Sequence, residues 1–255
     1  MFKGIYGYRR MTGLLRKLNG YKINRKRVRR IMRALGIKSF IRQKKANRNR
    51  VAPECTKENI LNRDFYASKT NEKWCTDVTE FKINNNSGKL YLNLYDLSIV
   101  SFKISRRNDN KIVIDTFDLA MNDNHGATPI LNSDQGFQYS SRIFKSKLEL
   151  MNMRQSMSRV GKCIDNAPIE NFWGILKTEM KDYKKIENLS ELEQAIIDQI
   201  KFYNEDRIQE RFNFLTPSEV RSESILAESL NEEVKKYPIP HNKKIADYKA
   251  NYCLE

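Results

Sequence analysis

Histidine and cysteine are scarce in this chain, whose 255 residues contain two histidines and four cysteines. The cysteines are widely separated and form no CxxC pair: Cys55, Cys75, Cys163 and Cys253. That spacing supplies neither the ligands of a zinc finger nor the pairs of a disulfide framework, so we expect isolated, reduced thiols. The length suffices for one good-sized core and a small accessory domain.

Long hydrophobic runs are also missing. No stretch approaches the roughly 18–20 apolar residues of a membrane span. The N-terminus "MFKGIYGYRRM" is basic but lacks the apolar segment of a signal peptide. We therefore expect an intracellular, cytoplasmic protein with no membrane partner.

Acidic residues are absent from the first fifth of the chain. Residues 1–50 contain 18 Lys and Arg and no Asp or Glu, whereas the rest contains 29 basic and 31 acidic residues. The net charge of +16 thus comes entirely from residues 1–50. Such a segment repels itself unless a polyanion neutralises it, which favours nucleic acid as the partner over a membrane surface or a disordered tail.

Two short helices are predicted in this basic segment, over 11–18 and 24–36, with a turn at Asn19–Gly20 between them. Asn24 suits the N-cap of the second helix and Gly36 its C-terminal stop. Apolar residues recur along one face of that helix, and arginines cover the others: Arg25, Arg27, Arg29, Arg30 and Arg33. This arrangement predicts a DNA-binding helix-turn-helix. A basic helical hairpin that only touches phosphates is the alternative.

The rest of the chain alternates between strand and helix patterns. We predict strands over 72–81, 89–100, 101–107, 128–134 and 154–158. Helices are predicted over 110–121, 141–151, 166–182, 190–203 and from 216 onwards, the third capped by Asn166 and the fourth begun by a Ser190–Glu193 capping box. This order predicts an α/β sheet with helices on its faces.

Three acidic residues fall where this order of elements could gather them. Asp77 lies in the first predicted strand, Asp134 ends the fourth, and Glu170 lies in the first turn of helix 166–182, crowded by apolar neighbours. If the first and fourth strands pair, Asp77 and Asp134 come together, and the helix across the sheet edge adds Glu170. Clustered carboxylates repel one another, and Mg²⁺ ions would relieve that repulsion and support phosphoryl transfer. Lys177, two turns after Glu170, would meet a substrate phosphate.

Each acid also has an ordinary structural explanation. Asp134 could be a turn residue before Gly136, Asp77 a surface charge on an edge strand, and Glu170 a favourable charge at a helix N-terminus. The residues by themselves leave both interpretations open.

Four segments resemble a known family, the OrfB-type transposases of bacterial insertion sequences, in the group typified by insertion sequence three and related to retroviral integrases. They are "NEKWCTDVTEF" (71–81), "NSDQGFQYSS" (132–141), "QSMSRVGKCIDNAPIENFWGILKTE" (155–179) and "YNEDRIQERFNFLTPSEV" (203–220). Residues 6–37 are similar to the helix-turn-helix that precedes the core in that family. The 35 residues between Asp134 and Glu170 match the spacing for which the family is known.

The resemblance implies a fold and a chemistry. The fold would be an RNase H-like core, a mixed five-stranded sheet flanked by helices, after an all-α helix-turn-helix. Asp77, Asp134 and Glu170 would be the catalytic ligands of two Mg²⁺ or Mn²⁺ ions, and Lys177 the basic residue that follows the Glu. Water would cut a phosphodiester at the end of the element, and the freed 3′-OH would attack another DNA strand. Lys177 and Arg207 would contact DNA together with the arginines named above.

The implied domains are a helix-turn-helix over 1–45, a linker over 46–70, the catalytic core over 71–222 and an uninterpreted extension over 223–255. The implied partners are double-stranded DNA, both element ends and target, further copies of the chain as a homo-oligomer on DNA, and an upstream-frame product joined by frameshifting. Asn132 stands where many relatives have His, and the usual leading helix is expected to be missing. The alternatives are an inactive or truncated remnant that only binds DNA, and an RNase H-type nuclease that cuts hybrids.

Overall fold

The computed structural model describes residues 4–39, 59–65, 67, 69–83, 86–93, 98–159, 163–181, 183–233 and 235. These residues form two compact units. The first combines the N-terminal residues up to Ser39 with the chain from Arg207 onwards, and the second comprises the described residues between them. Residues 207–222, which we predicted to be part of the catalytic core, thus lie with the N-terminal helices. Most of the predicted linker, 46–70, lies outside the described residues.

The first unit begins with two helices, α1 (Tyr8–Asn19) and α2 (Arg25–Ala34). Gly20 ends α1 in a left-handed conformation with φ of 63°, which glycine adopts without steric cost. Asn24 caps α2, as predicted, because its side chain accepts a hydrogen bond from the Lys26 N–H. The buried face of α2 is narrower than predicted: Val28 and Met32 are buried, but Ile31 and Leu35 are exposed.

The C-terminal part of the first unit packs against these two helices. Helix α7 (Pro217–Ser229) starts with the predicted capping box of Thr216 and Glu219. The same Glu219 pairs with Lys17 of α1 at 2.5 Å. Gly13 of α1 lies against the ring of Phe214, where a Cβ would come within 2.2 Å of a ring carbon. The N-terminal helices and the 207–229 segment are therefore one folded body.

The described residues of the second unit form six strands: β1 (Lys73–Cys75), β2 (Val78–Ile83), β3 (Asn86–Asn93), β4 (Ile104–Ser105), β5 (Ile130–Ser133) and β6 (Gln155–Met157). The β1, β5 and β6 strands are parallel neighbours, and β2, β3 and β4 are antiparallel neighbours. Only Thr76 and Asp77 separate β1 from β2. Taken as one interrupted strand, they give a mixed five-stranded order, β4-β3-β2/β1-β5-β6, which is the predicted RNase H-like arrangement.

The prediction of one continuous strand over 72–81 was wrong at Asp77. Its Oδ1 accepts a hydrogen bond from the Val78 N–H at 2.8 Å, a local bond that competes with the ladder. Two other predicted strands are shorter than expected: described residues 98–100 are not part of a strand, and within 101–107 only Ile104–Ser105 pairs.

Helices cover both faces of this sheet. Helices α3 (Asn110–Asp123) and α4 (Arg142–Leu150) pack over Trp74, Leu131 and Met157. Helices α5 (Ala167–Glu179) and α6 (Leu189–Lys201) pack over Cys75 and Phe81. Trp74 and Cys75 point to opposite faces because successive side chains of a strand alternate.

The N-caps of α5 and α6 differ from the predicted ones. Asn188, rather than Ser190, caps α6, with its side chain accepting from the Ser190 N–H. Asn166 precedes α5 but makes no capping bond, because its side-chain amide is hydrogen-bonded to Asn132 and to the Thr76 carbonyl. Cys75 is buried, and the side chains of the other cysteines lie outside the described part. Among the described helices, none has the length and apolar character that crossing a membrane requires.

Candidate active site

The pairing of β1 with β5 aligns Asp77 and Asp134. Cys75 is the register partner of Asn132, and each aspartate follows its strand's member of that pair by two residues. The Thr76 N–H donates to the Asn132 carbonyl at 2.8 Å, which extends the parallel ladder beyond β1. The carboxyl ends of neighbouring parallel strands lie at one edge of a sheet, so both side chains are placed there.

A buried amide network joins this edge to the start of α5. Asn132 Nδ2 donates to the Asp165 carbonyl and to Asn166 Oδ1, each at 3.0 Å. Asn166 Nδ2 in turn reaches the Thr76 carbonyl at 3.4 Å. Because Asn132 and Asn166 are both buried, these bonds fix the first turn of α5 against the two strands.

Two side chains further along α5 form hydrogen bonds to residues at the interruption between β1 and β2. Trp173 Nε1 donates to Asp77 Oδ2 at 3.1 Å, and Lys177 Nζ donates to Thr79 Oγ1 at 2.6 Å. Asp77 and Thr79 thus share the face that Cys75 presents to α5, as the two-residue period predicts. The alternation of faces survives the break in the strand.

The carboxylates of Asp77, Asp134 and Glu170, called here the carboxylate triad, act on one another electrostatically. Burial, then the charges of Asp134 and Glu170, raise the pKa of Asp77 to about 7. Burial raises the pKa of Asp134. Loss of hydration around the carboxyl group of Glu170, followed by the charge of Asp134, raises its pKa. The fold therefore brings the three acids within electrostatic reach of one another.

The surroundings of Glu170 differ from the predicted ones. Its neighbours Ile169, Phe172 and Trp173 are buried, but Glu170 itself is exposed on the first turn of α5. Because water can reach Glu170, its carboxylate does not need a bound cation in order to stay charged.

The turn after β5 wraps around the Asp134 carboxylate. The Gly136 N–H donates to Asp134 Oδ1 at 2.8 Å. A Cβ on Gly136 would lie 2.9 Å from that oxygen and 3.1 Å from Gln138 Oε1, so a larger residue would disturb both. Gln138 is 5% exposed and donates from Nε2 to Asn108 Oδ1, in the loop before α3.

A buried ion cluster stands immediately before α5. The Asp165 carboxylate is fully covered and pairs with Arg63 at 2.8 Å and with Arg159 at 2.7 Å. Although its burial acts in the opposite direction, the hydrogen bonds from Arg159 and Arg63 hold the pKa of Asp165 well below its usual range. This residue was not among the predicted site residues.

The donor set of the triad suits a hard divalent cation, because every donor atom is a carboxylate oxygen. Within the residues that the structure describes, no three Asp, Glu, His or Cys side chains are gathered into a metal-binding group. The triad is thus coupled by charge, and its side chains would have to converge further to share cations.

The predicted DNA-contact residues differ in their exposure. On α2, Arg25, Arg27, Arg29, Arg30 and Arg33 are all exposed. Lys177 is half-buried, and burial lowers its pKa, although the charges of Asp77 and Glu80 oppose that change. Arg207 is 2% exposed, so the structure gives it no surface with which to contact DNA, and that assignment is not kept.

Family models match most of the chain: an HTH-like domain at residues 1–45 and an integrase core domain at 67–163 and 170–225. The putative transposase InsK for insertion sequence element IS150 of Escherichia coli K12 is 40% identical over 229 residues, covering 88% of this chain and 80% of that protein. This chain belongs to the transposase family of bacterial insertion sequences. The predicted family is confirmed. An uncharacterized transposase-like protein of Haemophilus influenzae is 38% identical over 208 residues, and the match covers 80% of this chain and 95% of that protein.

Among solved structures, this transposase-family chain is similar to the HTLV-2 integrase catalytic core domain, determined in complex with magnesium. The TM-score is 0.47 at 20% identity, and the match covers 59% of this chain and 96% of that one.

Sequence patterns missed the residues that support the triad. Trp173 was predicted only as an apolar neighbour of Glu170, although its indole N–H binds Asp77. Its spacing from Glu170, three residues along α5, was the available signal, since such residues share a helix face. Asp165 carried no comparable signal, because Arg63 lies about a hundred residues before it.

Proposed function

We propose that this protein is a DNA transposase of the DDE type, which cuts DNA at the ends of an insertion sequence and joins the freed ends to a target. The observation that carries the proposal is the pairing of β1 with β5, which places Asp77 and Asp134 at one sheet edge beside the start of the helix that bears Glu170, in a member of a transposase family. Two Mg²⁺ or Mn²⁺ ions bound by these carboxylates would supply activation of the attacking oxygen and stabilisation of the leaving oxygen.

The residues of the chain would divide the remaining work. Trp173 and the Val78 N–H orient the two oxygens of Asp77, and the Gly136 N–H orients Asp134. These bonds fix two carboxylates before DNA arrives, which lowers the cost of ordering the site. We propose that Glu170, which is exposed, is the member of the triad that adjusts its position.

Lys177 is proposed to meet a DNA phosphate. Its ammonium group donates a hydrogen bond to Thr79, two residues after Asp77, and lies 5.3 Å from the centre of the Phe81 ring. A cation at this position would partly offset the negative charge of the triad. The exposed arginines of α2 would bind DNA at a second place on the chain. A homo-oligomer on DNA and a fusion with an upstream frame stay predictions.

Replacing Asp134 with Asn tests the proposal. The substitution keeps the side-chain shape but removes a charge, so cleavage and strand transfer on a cognate DNA end should fall by at least about 10³-fold, a loss of several kcal/mol in transition-state stabilisation. Binding of the same DNA should survive, since the arginines of α2 are unaffected. Cleavage is measured on labelled duplexes with Mg²⁺ or Mn²⁺.

The matched control is Asp123→Asn, an exposed acid at the end of α3, which should cleave at the wild-type rate. Full activity of the Asp134 variant would overturn the assignment. A catalytically inactive protein that only binds DNA is the second candidate, favoured by the absence of a gathered metal-binding group among the described residues. This second candidate requires that the wild-type protein bind the DNA end and that no cleavage occur in either Mg²⁺ or Mn²⁺.

A further inference from the structure

The four-residue loop between β4 and α3 carries two exposed arginines, Arg106 and Arg107. Both ends of this loop are held in place. The Arg107 N–H donates to Ser105 Oγ at 3.1 Å, and Asp109 caps α3 by accepting from the Ile112 N–H. Such a short, fixed loop presents its side chains with little freedom of the backbone.

Two hydrogen-bonded side chains connect this loop to the triad. Asn108, next to Arg107, accepts a hydrogen bond from Gln138. Gln138 Oε1 and Asp134 Oδ1 both lie against Gly136, within 3.1 Å and 2.9 Å of the place where its Cβ would be. The two oxygens are thus no more than about 6 Å apart. The arginine loop therefore stands beside the Asp134 turn.

The two guanidinium groups have no acidic partner among the described residues, whereas several other basic side chains of this unit do. Lys111 pairs with Asp115, Lys147 with Asp118, and Arg159 with Asp165. The neighbouring Asp109 uses its carboxylate to cap α3. Two arginines that have no acidic partner among the described residues, on a loop beside the Asp134 turn, are available for an external anion.

Cations at this position would favour binding of the DNA backbone. Without metal ions the triad repels a phosphodiester, and Lys177 is half-buried and bonded to Thr79. An arginine donates several N–H groups in a planar fork that matches phosphate oxygens. Each arginine that meets a phosphate also releases condensed counter-ions, which favours binding without regard to sequence.

We propose that Arg106 and Arg107 form a phosphate-binding loop that holds the DNA backbone over the Asp134 side of the triad. The proposal rests on the proposed function for its ligand. It assigns a backbone contact, and therefore no discrimination between base sequences. The phosphates belong either to the strand that is cut or to the target strand.

The experiment compares wild-type protein with R106Q/R107Q. Binding to two fluorescent duplexes of unrelated sequence is followed by anisotropy in EDTA, over a range of salt concentrations. We expect weaker binding to both duplexes by the same factor, and a slope of log K against log salt that is smaller in magnitude by about 2. R106K/R107K should retain most of the slope, because it keeps both charges.

The matched control, K181Q/K185Q, removes the same charge beyond the other end of α5. Lys181 lies about 16 Å along the helix direction from Glu170, at 1.5 Å per residue. An unchanged slope in R106Q/R107Q, or an equal loss in the control, would overturn the proposal. If the wild-type protein cleaves no DNA while the slopes differ as expected, the enzymatic function fails and the phosphate-binding loop stands.

A second arm separates the two sources of phosphate. With Mg²⁺ and saturating DNA, a loop on the cut strand predicts slower cleavage by R106Q/R107Q. A loop on the target strand predicts normal cleavage and slower joining. Normal rates of both steps, together with an unchanged slope, would also overturn the proposal.

Discussion

Asp77 is the triad member whose surroundings most disfavour its charge. Its pKa of about 7, raised by burial and then by Asp134 and Glu170, means that the folded, metal-free protein keeps a proton that the unfolded chain releases. The unfolded chain gives up this proton near pH 4. Stability of the metal-free protein should therefore fall as pH rises from about 4 to 7, because the folded state binds more protons in that window.

We predict that Asp77→Asn removes this dependence. The amide nitrogen of the variant cannot accept the Trp173 N–H, and this loss applies at every pH. In EDTA the stability of the variant relative to wild type should therefore rise by about 1–2 kcal/mol between pH 4 and pH 8, a fraction of the full shift because Asp77 is partly exposed. Urea unfolding at both pH values measures this, with Asp123→Asn as the control. Mg²⁺ should stabilise wild type and leave the Asn variant unchanged. A difference in stability between variant and wild type that is the same at pH 4 and pH 8 would contradict the prediction.

Residue types and spacing predicted that the three acids act together, but they could not predict the environment of each acid. Glu170 was expected to be crowded by apolar neighbours and is exposed. Arg207 lies within a recognisable motif, yet it is buried. Exposure depends on which elements pack around a residue, and a local pattern contains no information about that.

At the scale of elements, the 3₁₀ turn Cys163–Asn166 determines how α5 meets the sheet. The Asp165 carboxylate in this turn forms ion pairs with Arg63 and Arg159, and the Asp165 carbonyl accepts a hydrogen bond from the Asn132 side chain. Distant segments of the chain are thus tied together one turn before Glu170. Loss of this carboxylate would leave two arginines without their counter-ion.

We predict that Asp165→Asn lowers the free energy of unfolding at pH 7 by about 3 kcal/mol, the usual cost of breaking a buried pair. Since the pKa of Asp165 is held below its usual range, its contribution is present above about pH 4 and is lost as pH falls further. The gap between variant and wild type in urea unfolding should therefore narrow in acid. Asp118→Asn, which removes a surface pair with Lys147, should cost less than about 1 kcal/mol. Equal costs for the two variants would contradict this account.

Sequence patterns predicted the four α-helices among the described residues of the second unit and the alternation of faces around Asp77. They could not predict that the strand stops there, because the interruption depends on a hydrogen bond that the Asp77 side chain accepts from the Val78 N–H. Nor could they assign the cap of α6, where Asn188 and Ser190 both have suitable side chains and only the geometry of the backbone chooses.

At the scale of the whole molecule, the exposed arginines of α2 and the carboxylate triad lie in different units. The first unit carries α2, whose Arg27, Arg30 and Arg33 recur every three residues opposite the buried Val28 and Met32. The sequence predicted this basic face. It did not predict that residues from Arg207 onwards would join it, because that association depends on long-range contacts such as Lys17 with Glu219.

We predict that replacing Arg27, Arg30 and Arg33 together with Gln weakens DNA binding uniformly across sequences. If about 6–8 basic residues of the chain meet phosphates, log K should fall against log salt with a slope of about −5 to −7 in wild type. Each lost contact removes about 0.9 from its magnitude, so the triple variant should lose nearly 3. Its thermal unfolding should be unchanged, since all three side chains are exposed.

The control for this triple variant replaces Lys181, Lys185 and Lys201, three exposed residues of the second unit, with Gln. Both variants lose the same net charge, so a general attraction between a basic protein and DNA would reduce both slopes equally. A binding face on α2 requires that only the arginine variant change, because counter-ions are released only where cations meet phosphates. Equal slopes for the two variants would mean that α2 faces something other than DNA.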